Sequence, residues 1–438
     1  MPKPTSIEKG ARPNVLLITA DQWRGDCLSA AGHACVKTPN IDALAREGTL
    51  FQRHYAGAAP CSPARATLYT GLYQMNHRVC RNGTPLDSRF DNLALAARRA
   101  GYDPTLFGYT DTAPDARGMD SNDPHLTTYE GVLPGFTARQ LLPEHERQWL
   151  SWLRSRGHAD AISRDIHIPV GAQAGEISDA APAYSRDETQ TAFLAGEFIR
   201  WMSERDGPWF AHVSFLRPHP PFSVPEPFNR MFGPGDGPAF ARAANAQAEE
   251  GSHPYLAYAM PRSDKSSFVY GATGPLSGWN SEDFAAIRAI YYGMIAEVDA
   301  QLGRIWQALK GAGAWENSSS PSLPITPRWR AITGRSARAV SSTAAIMFRL
   351  LSVIPQAVPQ AGSSTISPAP RIFFRLCAKS SVSRRKTGST AGRSCRSSTA
   401  GASRDGGMRH SGNSISGISP PARRNGISDC GPTNAISR

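Results

Sequence analysis

The sequence predicts an α/β protein with a layered, largely parallel sheet, and three features carry that prediction. NVLLITA (14–20) and WFAHVSFL (209–216) are continuous apolar runs of the kind found in strands buried on both faces. Segments of strand type alternate with segments of helical period. From Ser281, apolar Phe284, Ile287, Tyr291, Met294, Val298, Leu302, Ile305 and Leu309 keep helical spacing as far as Gly311. A chain of 438 residues is long enough for one large domain of this class or two ordinary ones.

Taken in order, the first strand ends at Asp21. Pro39-Asn40 leads into IDALAREG, a short helix with Asn40 as N-cap and Gly48 as stop. A second helix is expected from Pro63. FDNLALAARRAGYD reads as helix then turn, TLFGYT as a strand, and ETQTAFLAGEFIRWMSER as an amphipathic helix before the strand at 209–216. Between them, 112–188 and 223–280 are rich in Gly, Pro and polar residues, and are expected to be long insertions on the active-site side.

Charge divides the chain near Asn317. Residues 318–438 hold 18 of the 48 Lys and Arg but only two of the 36 acidic residues, Asp405 and Asp429, so residues 1–317 carry 30 basic against 34 acidic groups. The overall charge of +12 therefore belongs to the last part. Seven cysteines, at 27, 35, 61, 80, 377, 395 and 430, lack metal-type pair spacing and read as free thiols of a reducing compartment. No apolar run approaches the ~20 residues of a membrane span, and MPKPTSIEKG has no signal-peptide character. A cytoplasmic protein with no membrane partner is the expectation, and oligomeric state is left open.

In open α/β sheets, ligands gather beyond the carboxyl ends of the strands. Three such places carry chemistry: Asp21-Gln22, Tyr109-Thr110-Asp111 and Arg217-Pro218-His219. A fourth candidate, AAPCSPARATLYTG, sets Cys61 at a proline-led helix start with Arg65 one turn on.

The blocks NVLLITADQ, TPNIDALAREG, CSPARATLYTG and FLRPHPPF, in this order over residues 12–317, resemble the sulfatase family of the alkaline-phosphatase-like superfamily. Gln22, Asn82 and Tyr109 make the phosphonate monoester hydrolase and arylsulfatase branch the nearest. The resemblance implies an α/β/α sandwich with a mostly parallel central sheet. CSPAR fits Cys-x-Pro-x-Arg, so it also implies a formylglycine-generating enzyme as maturation partner, which oxidises Cys61 to an aldehyde. A thiol is soft, whereas the hydrated aldehyde offers hard oxygens as ligand and nucleophile. Asp21, Gln22 and the Cys61-derived group are then ligands of one divalent cation, Ca²⁺, Mn²⁺ or Mg²⁺. Arg65 holds the diol or an oxyanion, His219 protonates the leaving oxygen, and Asn82 and Tyr109 donate hydrogen bonds to a small anionic ester. Gln22, where sulfatases usually have a second carboxylate, turns the expectation from sulfate toward phosphate and phosphonate esters. Asp111 fits an anion site only with a cation between them.

After the long helix, the family has an apolar strand, a Ser-Asp-His that completes the metal site, and a later Gly-Lys. Here WEN (315–317) is followed by SSSPSLPITPRWRAITGRSARAVSS, and no Asp or Glu occurs between Glu316 and Asp405. If each codon is the third base of one residue joined to the first two of the next, Ile325 supplies AT and Thr326 supplies AC, which allow Asp-His. Trp329 likewise allows Met, and Gly334 allows Trp. The whole of 318–340 can be read as V-I-A-F-T-S-D-H-A-E-M-A-G-D-H-W-A-L-G-K-G-G. A frameshift near Asn317 is therefore expected. Residues 1–11 and the Ser/Arg-rich tail 318–438 are expected to be disordered, with the sheet incomplete at its C-terminal end and hydrolysis impaired. Two other readings are a non-catalytic remnant and a tail that binds nucleic acid. The frameshift accounts for the tail's composition without such binding.

Overall fold

The structure is a computed structural model and describes residues 12–240, 246–326 and 347–352. All of these belong to one compact unit, residues 1–384. In chain order the elements are β1 (Asn14–Asp21), α1 (Pro39–Glu47), β2 (Thr49–Tyr55), α2 (Cys61–Thr70), α3 (Gln74–His77), α4 (Leu93–Arg99), β3 (Pro104–Gly108), β4 (Thr137–Leu141) and α5 (Arg147–Ser155). They continue as α6 (Gln190–Ser203), β5 (Phe210–Phe215), α7 (Ala246–Gly251), α8 (Pro254–Ala259), α9 (Ser281–Gly311), α10 (Ala314–Asn317), β6 (Ser318–Thr326) and β7 (Met347–Ser352).

The sheet runs β2-β7-β6-β1-β5-β3-β4. Pairings of β1 with β5 and β6, and of β3 with β5 and β4, are parallel, whereas β7 pairs antiparallel with β2 and β6. The expected mostly parallel α/β sheet is what the chain forms. Register aligns the strand ends: Ala20 lies opposite Phe215, and Phe107 opposite Val213. Asp21, Tyr109 and Arg217 consequently leave the sheet along one edge. Helices α6 and α9 pack with Leu16, Ile18, Phe107 and Phe215 into one apolar layer, while α2 and α4 cover Leu17, Leu106 and Phe210 on the other.

Helix α9 matches the predicted span and opens with a capping box between Asn280 and Asp283. Two helix starts are corrected. Asn40 is not an N-cap: Pro39 already occupies the first turn of α1, where its fixed φ is favourable. The free amides of Asn40 and Ile41 are satisfied instead by Asp299 of α9, at 3.1 and 2.9 Å. Helix α2 begins at Cys61, two residues before Pro63, because a proline in the first turn breaks no helical hydrogen bond. The expected insertion 112–188 contains β4 and α5, and α5 buries Trp149, Leu150 and Leu153.

Within the tail 318–438 two segments are described, and both are strands. Residues 318–326 form β6 beside β1, and 347–352 form β7. The free edge of β1 presents backbone N–H and C=O groups that need partners, and a backbone can supply them whatever its side chains. Residues 1–11, 327–346 and 353–438, with the disorder and nucleic-acid readings placed on them, lie outside the described residues. Among the described residues no helix is long and apolar enough to cross a membrane.

Candidate active site

Asp21 is buried at the end of β1, and the chain turns sharply after it: Gln22 has φ 63, in the left-handed region. A non-glycine residue holds that conformation only when its surroundings impose it. Here Tyr291 of α9 does so. Its hydroxyl donates to the Gln22 carbonyl at 2.7 Å and accepts from the Arg24 amide at 2.8 Å.

Cys61 is the first residue of α2, where backbone N–H groups and the helix dipole favour an anion. Its sulfur lies 3.4 and 3.5 Å from the two carboxylate oxygens of Asp21. The next amide, Ser62 N–H, donates to Asn82 Oδ1 at 3.1 Å, so the Asn82 loop is tied to the helix start and only Nδ2 of that side chain remains to donate.

One turn along α2, Arg65 is fully buried. Its Nη1 donates to Tyr69 Oη at 3.2 Å, Ser214 Oγ at 3.0 Å and the Tyr109 carbonyl at 3.4 Å, and the guanidinium lies over the Tyr109 ring at 4.2 Å. Beneath it, Tyr69 Oη and His212 Nε2 are 2.9 Å apart, and His212 Nδ1 lies 3.1 Å from the Leu17 carbonyl. That carbonyl can only accept, so Nδ1 carries the proton and Nε2 accepts from Tyr69. Burial pushes His212 down to about 3, which keeps it neutral. The network anchors Nη1, while Nε and Nη2 of Arg65 are buried with no partner among the described residues.

Tyr109 Oη donates to Asp21 Oδ2 at 2.5 Å, and burial pushes its phenol well above the usual range. Asp111 is buried in a left-handed conformation, φ 51, with Oδ1 unpartnered. Burial, against the pull of Arg65 and helped by Asp21, pushes its carboxyl up to about 7.

His219 follows β5. Its Nδ1 lies 2.7 Å from the Pro220 carbonyl, and its Nε2 is 3.4 Å from Glu144. Buried Arg217 clamps this turn, donating to the carbonyls of His219 at 2.8 Å and Pro221 at 2.7 Å and to His167 Nδ1 at 3.2 Å. His167 Nε2 in turn meets Glu146 at 2.7 Å. Burial opposes the Glu146 charge, yet His167, Arg164 and Arg217 hold its carboxyl down to about 2.

The structure thus joins Asp21, Cys61, Arg65 and Tyr109 directly, brings Asn82 in through Ser62, and places Gln22 by the turn. His219 shares the sheet edge, with its ring against Glu144. Sequence reading missed Tyr291, Tyr69, His212, Ser214 and the Arg217 clamp. A signal existed for two of these: His212 and Ser214 are polar residues inside a buried strand and need partners.

An oxygen-preferring cation fits part of this site. The Asp21 carboxylate and the Gln22 amide are hard donors, and one buried amide atom of Gln22, its Nε2, has no partner, an end the amide oxygen could occupy beside a cation. Among the described residues, however, no three His, Cys, Asp or Glu side chains form a metal site.

A sequence model of the Sulfatase family matches residues 13–319. The chain belongs to the sulfatase family. Its similarity is marked to the phosphonate monoester hydrolase of Agrobacterium radiobacter, with 71% identity and a TM-score of 0.74 over 78% of this chain and 68% of that one. The phosphonate monoester hydrolase of Silicibacter pomeroyi aligns with a TM-score of 0.75 at 33% identity, over 84% of this chain and 73% of that one. A curated relative, the multifunctional alkaline phosphatase superfamily protein PehA of Trinickia caryophylli, is 37% identical over 315 residues, 70% of this chain and 61% of its own length. The arylsulfatase of Clostridium perfringens is 27% identical over 319 residues, again 61% of its length. The chain therefore spans less than two thirds of these curated relatives.

Proposed function

We propose that the site is built to hydrolyse small anionic monoesters, phosphonate or phosphate ahead of sulfate, with a formylglycine made from Cys61 as nucleophile, and that this chain is impaired in doing so. One observation carries the reading: Cys61 stands at a helix N-terminus against Asp21, while two buried guanidinium nitrogens of Arg65, Nε and Nη2, have no partner among the described residues. A buried donor without an acceptor is costly, and an anionic oxygen placed there satisfies it.

In this reading one hydroxyl of the hydrated aldehyde attacks phosphorus or sulfur and the ester oxygen departs. The other hydroxyl later loses its proton, the aldehyde re-forms, and the anion leaves. Arg65 receives the developing charge from a fixed position, since Tyr69, Ser214 and the Tyr109 carbonyl restrain Nη1. His219 supplies the proton to the departing oxygen from Nε2, the nitrogen that faces Glu144, since Nδ1 is turned to the Pro220 carbonyl and Arg217 fixes the turn. Asn82 Nδ2 donates to a substrate oxygen, and Tyr109, whose single O–H is given to Asp21 Oδ2 in this structure, does so once a cation takes over that carboxylate oxygen. Asp21, Gln22 and the Cys61-derived group would hold a divalent cation, which would supply charge neutralisation at the transferring group. Impairment follows because these three ligands fall short of the six to eight oxygens Ca²⁺ takes or the six of Mg²⁺. A reducing, cytoplasmic setting is part of this reading; cysteines 27, 35, 61 and 80 form no disulfide among the described residues.

Two measurements test this. Co-expression with a formylglycine-generating enzyme should convert Cys61, read by peptide mass spectrometry, and Arg65→Ala should block conversion. A chromogenic panel of aryl phosphonate, phosphate and sulfate esters under saturating metal should then show negligible turnover by this chain. Turnover comparable to that of a full-length relative, abolished by Cys61→Ala, would show the site to be complete without further ligands.

A further inference from the structure

Residues 142–146 link β4 to α5, and two of them bear on the His219 turn from different sides. Glu144 meets the ring, with Oε1 3.4 Å from His219 Nε2. Glu146, in a left-handed conformation at φ 59, meets the backbone of the turn through two intermediaries. Its buried carboxylate accepts from His167 Nε2 at 2.7 Å, His167 Nδ1 accepts from Arg217, and Arg217 donates to the His219 carbonyl. A segment expected to be an insertion thus supports a residue of the site.

The contacts of the His219 ring decide its protonation. Nδ1 lies 2.7 Å from the Pro220 carbonyl, which can only accept, so Nδ1 carries a proton. Nε2 faces a carboxylate oxygen, and an ionised carboxylate also only accepts. A neutral imidazole has one proton and would turn a lone pair on one of these acceptors, whereas the imidazolium satisfies both. Other charges stand around the pair. Arg217, two residues back, opposes the second proton, and Glu146, His167 and Arg164 lie behind it. Glu130 Oε1 accepts from the Glu144 amide at 2.7 Å, and the Tyr129 hydroxyl donates to Glu144 Oε2 at 3.4 Å.

We propose that Glu144 is a positioning residue for the proton donor: it holds the second proton on His219 Nε2, the atom from which the leaving oxygen takes it. The use of that proton rests on the function proposed above; the pairing does not. In the step, the Nε2–H bond breaks as an O–H bond forms on the departing oxygen, which keeps the electron pair of the ester bond. Neutral His219 then takes its next proton from water, to which the Glu144 side chain, 33% exposed, is open.

The test is the NMR titration of His219 in the full chain, labelled with carbon-13 at histidine Cε1, with His219→Gln identifying its signal among the 11 histidines. Glu144→Gln keeps the shape of the side chain and removes its charge. It is expected to lower the His219 midpoint by about 1 pH unit, because an opposite charge within ~4–6 Å favours the charged form. A second measurement needs no variant. At ~1 M salt, where the screening length is ~3 Å, the midpoint of the unaltered chain should fall toward that of Glu144→Gln, whose own midpoint stays in place. An unmoved midpoint in Glu144→Gln, or a fall that salt produces equally in both chains, overturns the assignment. Failure of Cys61 to convert would instead sink the proposed function and leave the titration result standing.

Discussion

The two neighbours of β1 make the same kind of backbone ladder and are otherwise unlike. On one side β5, FAHVSF, is buried at every residue, and its two central polar side chains are spent on the site: His212 through Tyr69, and Ser214 directly on Arg65. On the other side β6 pairs with five residues of β1 through a stretch holding two prolines. The difference teaches that a segment whose residue types carry no strand signal can still join a backbone ladder, whereas a catalytic floor needs side chains matched to position.

The largest expected effect lies on the β5 side. Phe215→Ala should cost about 3–5 kcal/mol, read as a lower denaturant midpoint, because it empties a site in the main core. A loss below 1 kcal/mol would break the contrast. Next, Tyr291→Phe strands the Gln22 carbonyl and the Arg24 amide at the turn after β1, at a cost of about 1–3 kcal/mol. Hydrogen exchange of the Arg24 amide should accelerate more than that of β5; uniform acceleration would assign Tyr291 to packing alone.

A third test uses pH. Burial pushes Glu297, on α9 against Thr189, up to about 7, so folding favours its protonated form. The stability it confers is complete below about pH 4 and is lost as pH rises toward 7. Glu297→Gln should flatten that slope in urea midpoints measured from pH 4 to 7, and an unchanged slope would reject the assignment. The smallest effect is expected in β6. Pro321→Val returns a ladder donor to an interior strand and should raise stability by up to about 1 kcal/mol. A loss like that of Phe215→Ala would show β6 to be packed as specifically as β5.

Much of the fold was legible because burial leaves a pattern. The runs at 14–20 and 209–216 and the spacing from Phe284 to Leu309 could be little else, Asp21 and Arg217 stood out as polar residues directly after the two runs, and Tyr109 after the strand at 105–108. The start of α1 was misjudged because Asn40 has capping chemistry, yet the residue that satisfies its amide is Asp299, 259 positions away. Strand β6 was missed because serines and prolines carry no strand signal, and its pairing is imposed by the open edge of β1.

By itself, the sequence determined the α/β class, the sulfatase motif around Cys61 and the charge break at Asn317, since each is a local pattern of residue types. Only the tertiary structure decided that Tyr291 holds Gln22 in its left-handed turn, that Tyr69 and His212 aim Arg65, and that Arg217 clamps the His219 turn. Those roles depend on hydrogen bonds between residues as much as 269 positions apart. No local pattern encodes such a bond; it exists only once packing has brought donor and acceptor out of water and within reach.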